Sequence, residues 1–513
     1  MKYQSTRNRA LTASPAAAVL AGIAPDGGLY MPEAIPVLDW QSLIKQDTLT
    51  MSARILSALL PDYEDMDALV RRGYLGKFET EDLTPLVPVG DRYVLELFRG
   101  PTSAFKDVAL SLLPLLISRA RDMEGIRDEI LILTATSGDT GKAALEGFHD
   151  VPGTRIIVFY PHGGVSAVQQ AQMATQEGAN VKVCAVRGNF DDTQTGVKKI
   201  FAACEGKDLS GVRLSSANSI NIGRLAPQIV YYFKAYGDLV RSGRIRVGDK
   251  VHFCVPTGNF GDILAGYFAK RMGLPVGRLI CASNSNDVLT EFLTTGVYNK
   301  CRTFYKTTSP SMDILVSSNL ERLLSLLTGD DAYVSSLMKD LNEKGMYQVS
   351  GELLHKLQAE FSCGCCDDAA AAETIGRIWA ESKYLCDPHT AVAWTVADQF
   401  SHTQEDGVPV VVLSTAVPIS SPPPSSPPWV GRCPTMSSPS WTTSTPAPVC
   451  PYPKISLPCG KSPFGTRMSS TGRKCSPMFS RKLVKSNGNR PRPRHHRQLR
   501  SRLRYPGSGP GSL

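Results

Sequence analysis

The chain predicts an α/β fold over residues 86–416, with parallel sheets flanked by helices, and three observations predict it. Two apolar, β-rich runs, 131–135 and 251–256, each feed a glycine turn and then a helical stretch. Strand-like 156–160 and 181–186 enclose helix-like 165–176, and strands alternating with helices of this length pair in parallel. Residues 410–413, Val-Val-Val-Leu, are an unbroken apolar run of the doubly buried kind, entered through Pro409. Residues 1–85 read as a mostly helical accessory domain, and 417–513 as a low-complexity basic tail in which disorder is expected.

Taken in order, the first region offers helices at 43–60 and 66–74. Lys2, Arg7 and Arg9 ahead of 16–24 imitate a secretion signal, but that stretch is alanine-dominated and directly preceded by Pro15. Residues 100–107, Gly-Pro-Thr-Ser-Ala-Phe-Lys-Asp, then set Lys106 between a turn and the apolar segment 108–117. A buried ammonium is costly unless paired or neutralised, and a lysine held covalently largely avoids that cost.

Residues 137–141, Ser-Gly-Asp-Thr-Gly, lead into helix-like 142–148, and 257–262, Thr-Gly-Asn-Phe-Gly-Asp, lead into helix-like 263–272. Strand, glycine loop and helix together point amide groups at an anion. Glycine leaves no Cβ in the way of a phosphate. An amphipathic helix with a proline in its first turn is expected at 226–240, and another helix at 315–327.

The formal net charge of +9 misleads. Residues 417–513 hold 16 of the 56 basic residues, none of the 47 acidic ones and 19 of the 36 prolines, which leaves residues 1–416 at −7. Two compositions meet at about residue 417. No apolar run approaches the roughly 20 residues of a membrane span. Nine of the 13 cysteines fall in 1–416 without framework spacing, which suits a reducing cytoplasm. Cys363, Cys365 and Cys366 lack a second pair at zinc-finger distance, so no metal is expected.

These loops carry a resemblance. The chain is similar to the threonine synthases, of pyridoxal phosphate fold type II (tryptophan synthase β-like). The matching segments are 3–7, 24–30, 100–107, 135–141, 216–224, 256–262, 387–392 and 410–416, in the family's order. The resemblance implies pyridoxal 5'-phosphate as cofactor, with Lys106 as the residue that holds it covalently and then moves protons on the substrate. It implies that Gly258, Asn259, Phe260 and Gly261 grip the cofactor phosphate. Ser137, Gly138, Asp139 and Thr140 match the loop for the substrate carboxylate, with Asp139 also near the cofactor's phenolic oxygen. Thr415 matches the neutral hydroxyl facing the ring nitrogen, which moderates the electron sink. Asn218, Ser219, Asn221 and Arg224 suit a substrate phosphate, or equally a helix cap beside a surface arginine. His389 either caps the next helix or contacts substrate.

The implied reaction converts O-phospho-L-homoserine and water to L-threonine and phosphate. A phospholyase giving a 2-oxo acid and ammonia, or a truncated inactive paralogue, is the alternative. A monomer or homodimer is expected, with no nucleic acid or membrane partner.

Two departures from the family stand out. Arg99 replaces the histidine often found before Gly-Pro-Thr, and matters only if it reaches the active site. After Ala416 the family continues with a segment like Ser-Pro-Tyr-Lys-Phe-Pro and a helix, whereas this chain turns proline-rich. Codons can be chosen for residues 416–430 that, read from the third base of the Ala416 codon, spell Ser-Pro-Tyr-Lys-Phe-Pro-Ala-Ala-Val-Leu-Ala-Ala-Leu-Gly. A one-base deletion that puts 417–513 out of frame is therefore expected. The rival reading takes 491–504 as a basic arm for nucleic acid or an anionic surface.

Overall fold

A computed structural model describes residues 1–136, 138–165, 167–188, 190–204, 207–403 and 407–418. Strands β1 (Tyr3–Ser5), β2 (Thr12–Ala13) and β3 (Tyr30–Pro32) form an antiparallel sheet in the order β2-β1-β3. This sheet is an addition to the expected helical first region. Of the helices, Met66–Tyr74 lies where the spacing puts it. The single helix expected at 43–60 is two, Trp40–Leu43 and Thr48–Leu59. The break has a local cause: the Asp47 carboxylate caps the second helix, accepting from the Thr50 amide at 3.0 Å and its hydroxyl at 2.6 Å.

The later strands are β4 (Leu86–Val89), β5 (Arg92–Glu96), β6 (Glu129–Ala135), β7 (Thr154–Pro161), β8 (Val181–Val186) and β9 (Val212–Ser215). There follow β10 (Val251–Pro256), β11 (Val276–Ser283), β12 (Val297–Asn299), β13 (Met346–Gln348), β14 (Phe361–Cys365) and β15 (Val410–Ser414). A six-stranded sheet runs β14-β11-β10-β15-β5-β4, parallel except for the antiparallel β4 edge. A second sheet, β8-β7-β6-β9, is wholly parallel. Every residue of β10 and β15 is buried, as their apolar runs require.

Several helices differ from expectation for identifiable reasons. The segment 108–117 divides between Lys106–Leu110 and Leu113–Met123, breaking ahead of Pro114. In place of one amphipathic helix at 226–240 there is a short helix Ile222–Leu225, a 3₁₀ turn Ala226–Gln228 holding Pro227, and a helix Ile229–Arg241. That last helix is enclosed on nearly all sides, and its one awkward charge, Lys234, is paired with Asp238 at 2.6 Å. The helix expected at 315–327 begins only at Leu320, because Ser317 and Asn319 are drawn onto the 258–259 loop. Among the described residues no helix is long and apolar enough to cross a membrane.

Candidate active site

The glycine loops and Lys106 all lie at the carboxyl ends of parallel strands, where open α/β sheets form their binding crevices. Lys106 opens the helix after β5, and residues 257–261 join β10 to the helix Gly261–Arg271. Gly138 and Asp139 follow β6, and Thr415 directly follows β15. The lysine loop is laced to that last strand: the Phe105 amide donates to the Thr415 carbonyl at 2.9 Å, and Val417 donates to Ser103 at 3.2 Å. Asp107 fixes the loop's shape by accepting from the Thr102 amide and hydroxyl at 2.8 and 2.5 Å. Its packing explains Gly100, since a Cβ there would stand 2.4 Å from the Asp107 Cβ. Burial pushes the Asp107 carboxyl up to about 6 despite those hydrogen bonds.

Lys106 is 9% exposed and its Nζ lies 3.3 Å from Asp139 Oδ2 and 3.2 Å from Ser311 Oγ. Ser311 in turn donates to the same Asp139 oxygen at 2.7 Å, while Gln169 donates to the other at 2.6 Å. Burial would raise Asp139, but the Lys106 charge and these hydrogen bonds outweigh it and hold the carboxyl at about 2. The result is an anchored carboxylate beside a reactive amine.

The 258–261 loop is built to meet an anion. Its carbonyls are committed: Gly258 O accepts from Ser317 Oγ at 2.8 Å, and Asn259 O accepts from the Asn319 amide and side chain, both at 3.1 Å. Among the described residues, nothing accepts a hydrogen bond from the amides of Gly258, Asn259, Phe260 or Gly261, so four donors stand open at a helix N-terminus. A Cβ on Gly258 would lie 2.7 Å from the Ser311 carbonyl, so only glycine fits beneath that turn. Phe260 adopts a left-handed conformation (φ 61°) to complete the loop.

Ser219 packs beside this loop, its Cβ 3.8 Å from where a Gly261 Cβ would be. Arg224 is buried, not a surface residue: one guanidinium nitrogen donates to the Ala217 carbonyl at 2.8 Å and Nε has no partner. Burial pushes it down to about 10. A buried cation with a free N–H is a site for an anion. Asn221 serves locally instead. Its side-chain nitrogen donates to Val19 and Ser216 carbonyls and its oxygen caps the Gly223 amide, which commits both of its N–H groups within the protein.

Arg99 donates from Nε and Nη2 to the same Glu96 oxygen, at 2.9 and 2.6 Å, and from Nη1 to Glu79 at 3.0 Å. His389 spends both ring nitrogens within the protein. Nδ1 meets Asp387 at 2.7 Å and Nε2 accepts the Ser311 amide at 3.2 Å, so it supports a turn rather than contacting substrate.

Gly138 and Thr140 sit on the Asp139 loop, whose amides at Gly138 and Gly141 both donate to the Thr136 hydroxyl, at 3.0 and 2.9 Å. Ser137 lies outside the described residues, as do 419–513. Ser311, Gln169, Thr136 and Asn319 are the site residues that sequence reasoning missed.

A family profile described as pyridoxal-phosphate dependent enzyme matches residues 81–416, and one described as threonine synthase N terminus matches 2–88. Human threonine synthase-like 1 is 40% identical over 420 residues, which is 78% of this chain and 56% of that protein. The chain thus spans little more than half the length of that relative. Threonine synthase from Pseudomonas aeruginosa is 39% identical over 444 residues, covering 85% of this chain and 92% of that one. The crystal structure of pyridoxal phosphate-bound threonine synthase from Brucella melitensis superposes with a TM-score of 0.75 at 42% identity, over 82% of this chain and 89% of that one.

Proposed function

Because the chain belongs to the pyridoxal-phosphate-dependent enzymes, in their threonine synthase branch, we propose that it converts O-phospho-L-homoserine and water to L-threonine and phosphate. The observation that carries this reading is the Lys106 amine, held 3.3 Å from the Asp139 carboxylate beside an open anion cradle. The residues fit the cofactor: an amine able to hold it, free amides for its phosphate and a glycine that leaves the cradle clear. When bound, pyridoxal 5'-phosphate supplies an electron sink that acidifies substrate carbons near the attached nitrogen.

The chain's own groups do the rest. Lys106 holds the cofactor and, once released, takes a proton from one substrate carbon and returns it to another. The amides of Gly258, Asn259, Phe260 and Gly261 would hold the cofactor phosphate, and the Thr415 hydroxyl would meet the ring nitrogen. Gly138 and Thr140, with Ser137, hold the substrate carboxylate, and Asp139 keeps the amine oriented. Arg224, with Asn218 and Ser219, binds the phosphate that leaves; its free Nε supports that assignment.

The same reading places the protein in the cytoplasm as a monomer or homodimer, without nucleic-acid or membrane partners. It also takes 417–513 as out of frame, which the absence of any acidic residue there supports. An intact frame at the Ala416 codon of the gene would overturn that part.

The deciding experiment incubates purified protein with pyridoxal phosphate and O-phospho-L-homoserine and analyses the amino acids. Threonine is expected, whereas a 2-oxo acid with ammonia would mean a phospholyase. No product, together with no visible absorption band that Lys106→Ala abolishes, would sink the enzymatic reading.

A further inference from the structure

The most constrained turn near Lys106 is one that no sequence motif pointed to. The 3₁₀ turn Pro310–Met312 brings in Ser311 from the segment after β12, far from the lysine loop in sequence. A cage of buried polar groups fixes that turn. The Asn284 side-chain nitrogen lies within hydrogen-bond distance of Thr307 Oγ1 (2.9 Å), Ser309 Oγ (2.9 Å) and Asp313 Oδ1 (2.8 Å) and shares its two hydrogens among them. Asp313 also accepts the Thr307 amide at 3.0 Å, and Asp368 accepts the Thr308 amide at 3.1 Å. From the other side the buried His389–Asp387 pair takes the Ser311 amide itself. Satisfying so many buried polar groups around one short turn holds its side chain to a narrow range of positions.

What the turn presents is one hydroxyl. Ser311 Oγ gives its hydrogen to Asp139 at 2.7 Å, which leaves a lone pair for Lys106 Nζ at 3.2 Å. The carbonyl of the same residue roofs Gly258 in the anion loop. We propose that Ser311 is a further catalytic residue, whose hydroxyl steers the Lys106 amine as that amine exchanges protons with substrate. The inference rests on the function proposed above. When the amine takes a substrate proton it becomes an ammonium whose N–H bonds point at Ser311 Oγ and Asp139 Oδ2. When it returns that proton to carbon it is again the neutral amine, so the balance closes with no other reactant. His389 and Asp387 are positioning residues for the serine.

The test compares parent holoenzyme with Ser311→Ala and Ser311→Thr. The alanine variant should keep its cofactor, fixed to Lys106 by borohydride, yet lose roughly 100-fold in kcat with KM changed less than about threefold. Threonine, which restores a hydroxyl, should recover most of the loss. A second readout needs neither cofactor nor reaction: acetylation of Lys106 in cofactor-free protein, followed by peptide mass. It should run several-fold faster in Ser311→Ala, because one of the two side-chain oxygens that hold Lys106 Nζ in place is gone. Parental kcat and parental acetylation in Ser311→Ala would overturn the proposal. So would kcat and KM failing together without rescue by threonine, the mark of a merely structural residue. If the parent makes no threonine the reaction reading has failed, and the acetylation rates alone still decide Ser311.

Discussion

A methyl group on residue 258 would press within 2.7 Å of the Ser311 carbonyl, closer than non-bonded atoms sit. Gly258→Ala should therefore displace the anion loop and weaken pyridoxal phosphate binding roughly 5- to 150-fold, about 1–3 kcal/mol, measured by equilibrium dialysis. Asp262 makes a different prediction. Burial pushes its carboxyl up to about 6, although the Tyr231 and Tyr232 hydroxyls both donate to Oδ1; Oδ2 has no partner. Between about pH 4 and 6 the folded state keeps a proton that the unfolded chain releases. Stability thus falls with rising pH across that window and levels off above it, by up to about 3 kcal/mol for this group. Asp262→Asn removes the titration while Oδ1 still accepts both tyrosines. Its thermal midpoint at pH 7.5 should exceed the parent's, and its decline from pH 4 to 6 should be shallower.

At the scale of elements, local chemistry was legible and distant chemistry was not. The loops at 100–107 and 257–262 could be read because turn, glycine and helix start are neighbours in sequence. Ser311 could not, since what brings it to Lys106 is a cage drawn from Asn284, Asp313, Asp368 and His389. The helix start at Leu320 was missed for the same reason: Asn319 is held back by a loop 60 residues earlier. The two-residue strand β2 offers too short a pattern to find. Asp47, by contrast, is a local helix-start signal that the expected single helix 43–60 ran through. Asp47→Ala should cost about 1 kcal/mol and lower the urea midpoint, with cofactor affinity unchanged because the cap lies on the accessory helix Thr48–Leu59.

At the scale of the whole molecule, the α/β class and its parallel strands followed from the alternation of apolar runs, but strand order did not. Order depends on which buried faces meet, and the period of a single run does not carry that. β15 lies between β10 and β5, directly beside the strand that leads to Lys106. A stop codon after residue 409 should therefore give protein that binds no pyridoxal phosphate. A stop after residue 418 should bind it as the full chain does, because Lys106, the glycine loop and Thr415 all precede it. Visible absorbance of the two purified proteins checks both outcomes.

That central strand also dictates when the sheet can be finished. A ribosome must release residues 92–409 before this middle ladder exists, so during synthesis β10 and β5 each wait with one unpaired edge. Hundreds of codons separate the first waiting edge from its mate, and a chaperone that shields exposed backbone would find this nascent chain a long-lived client.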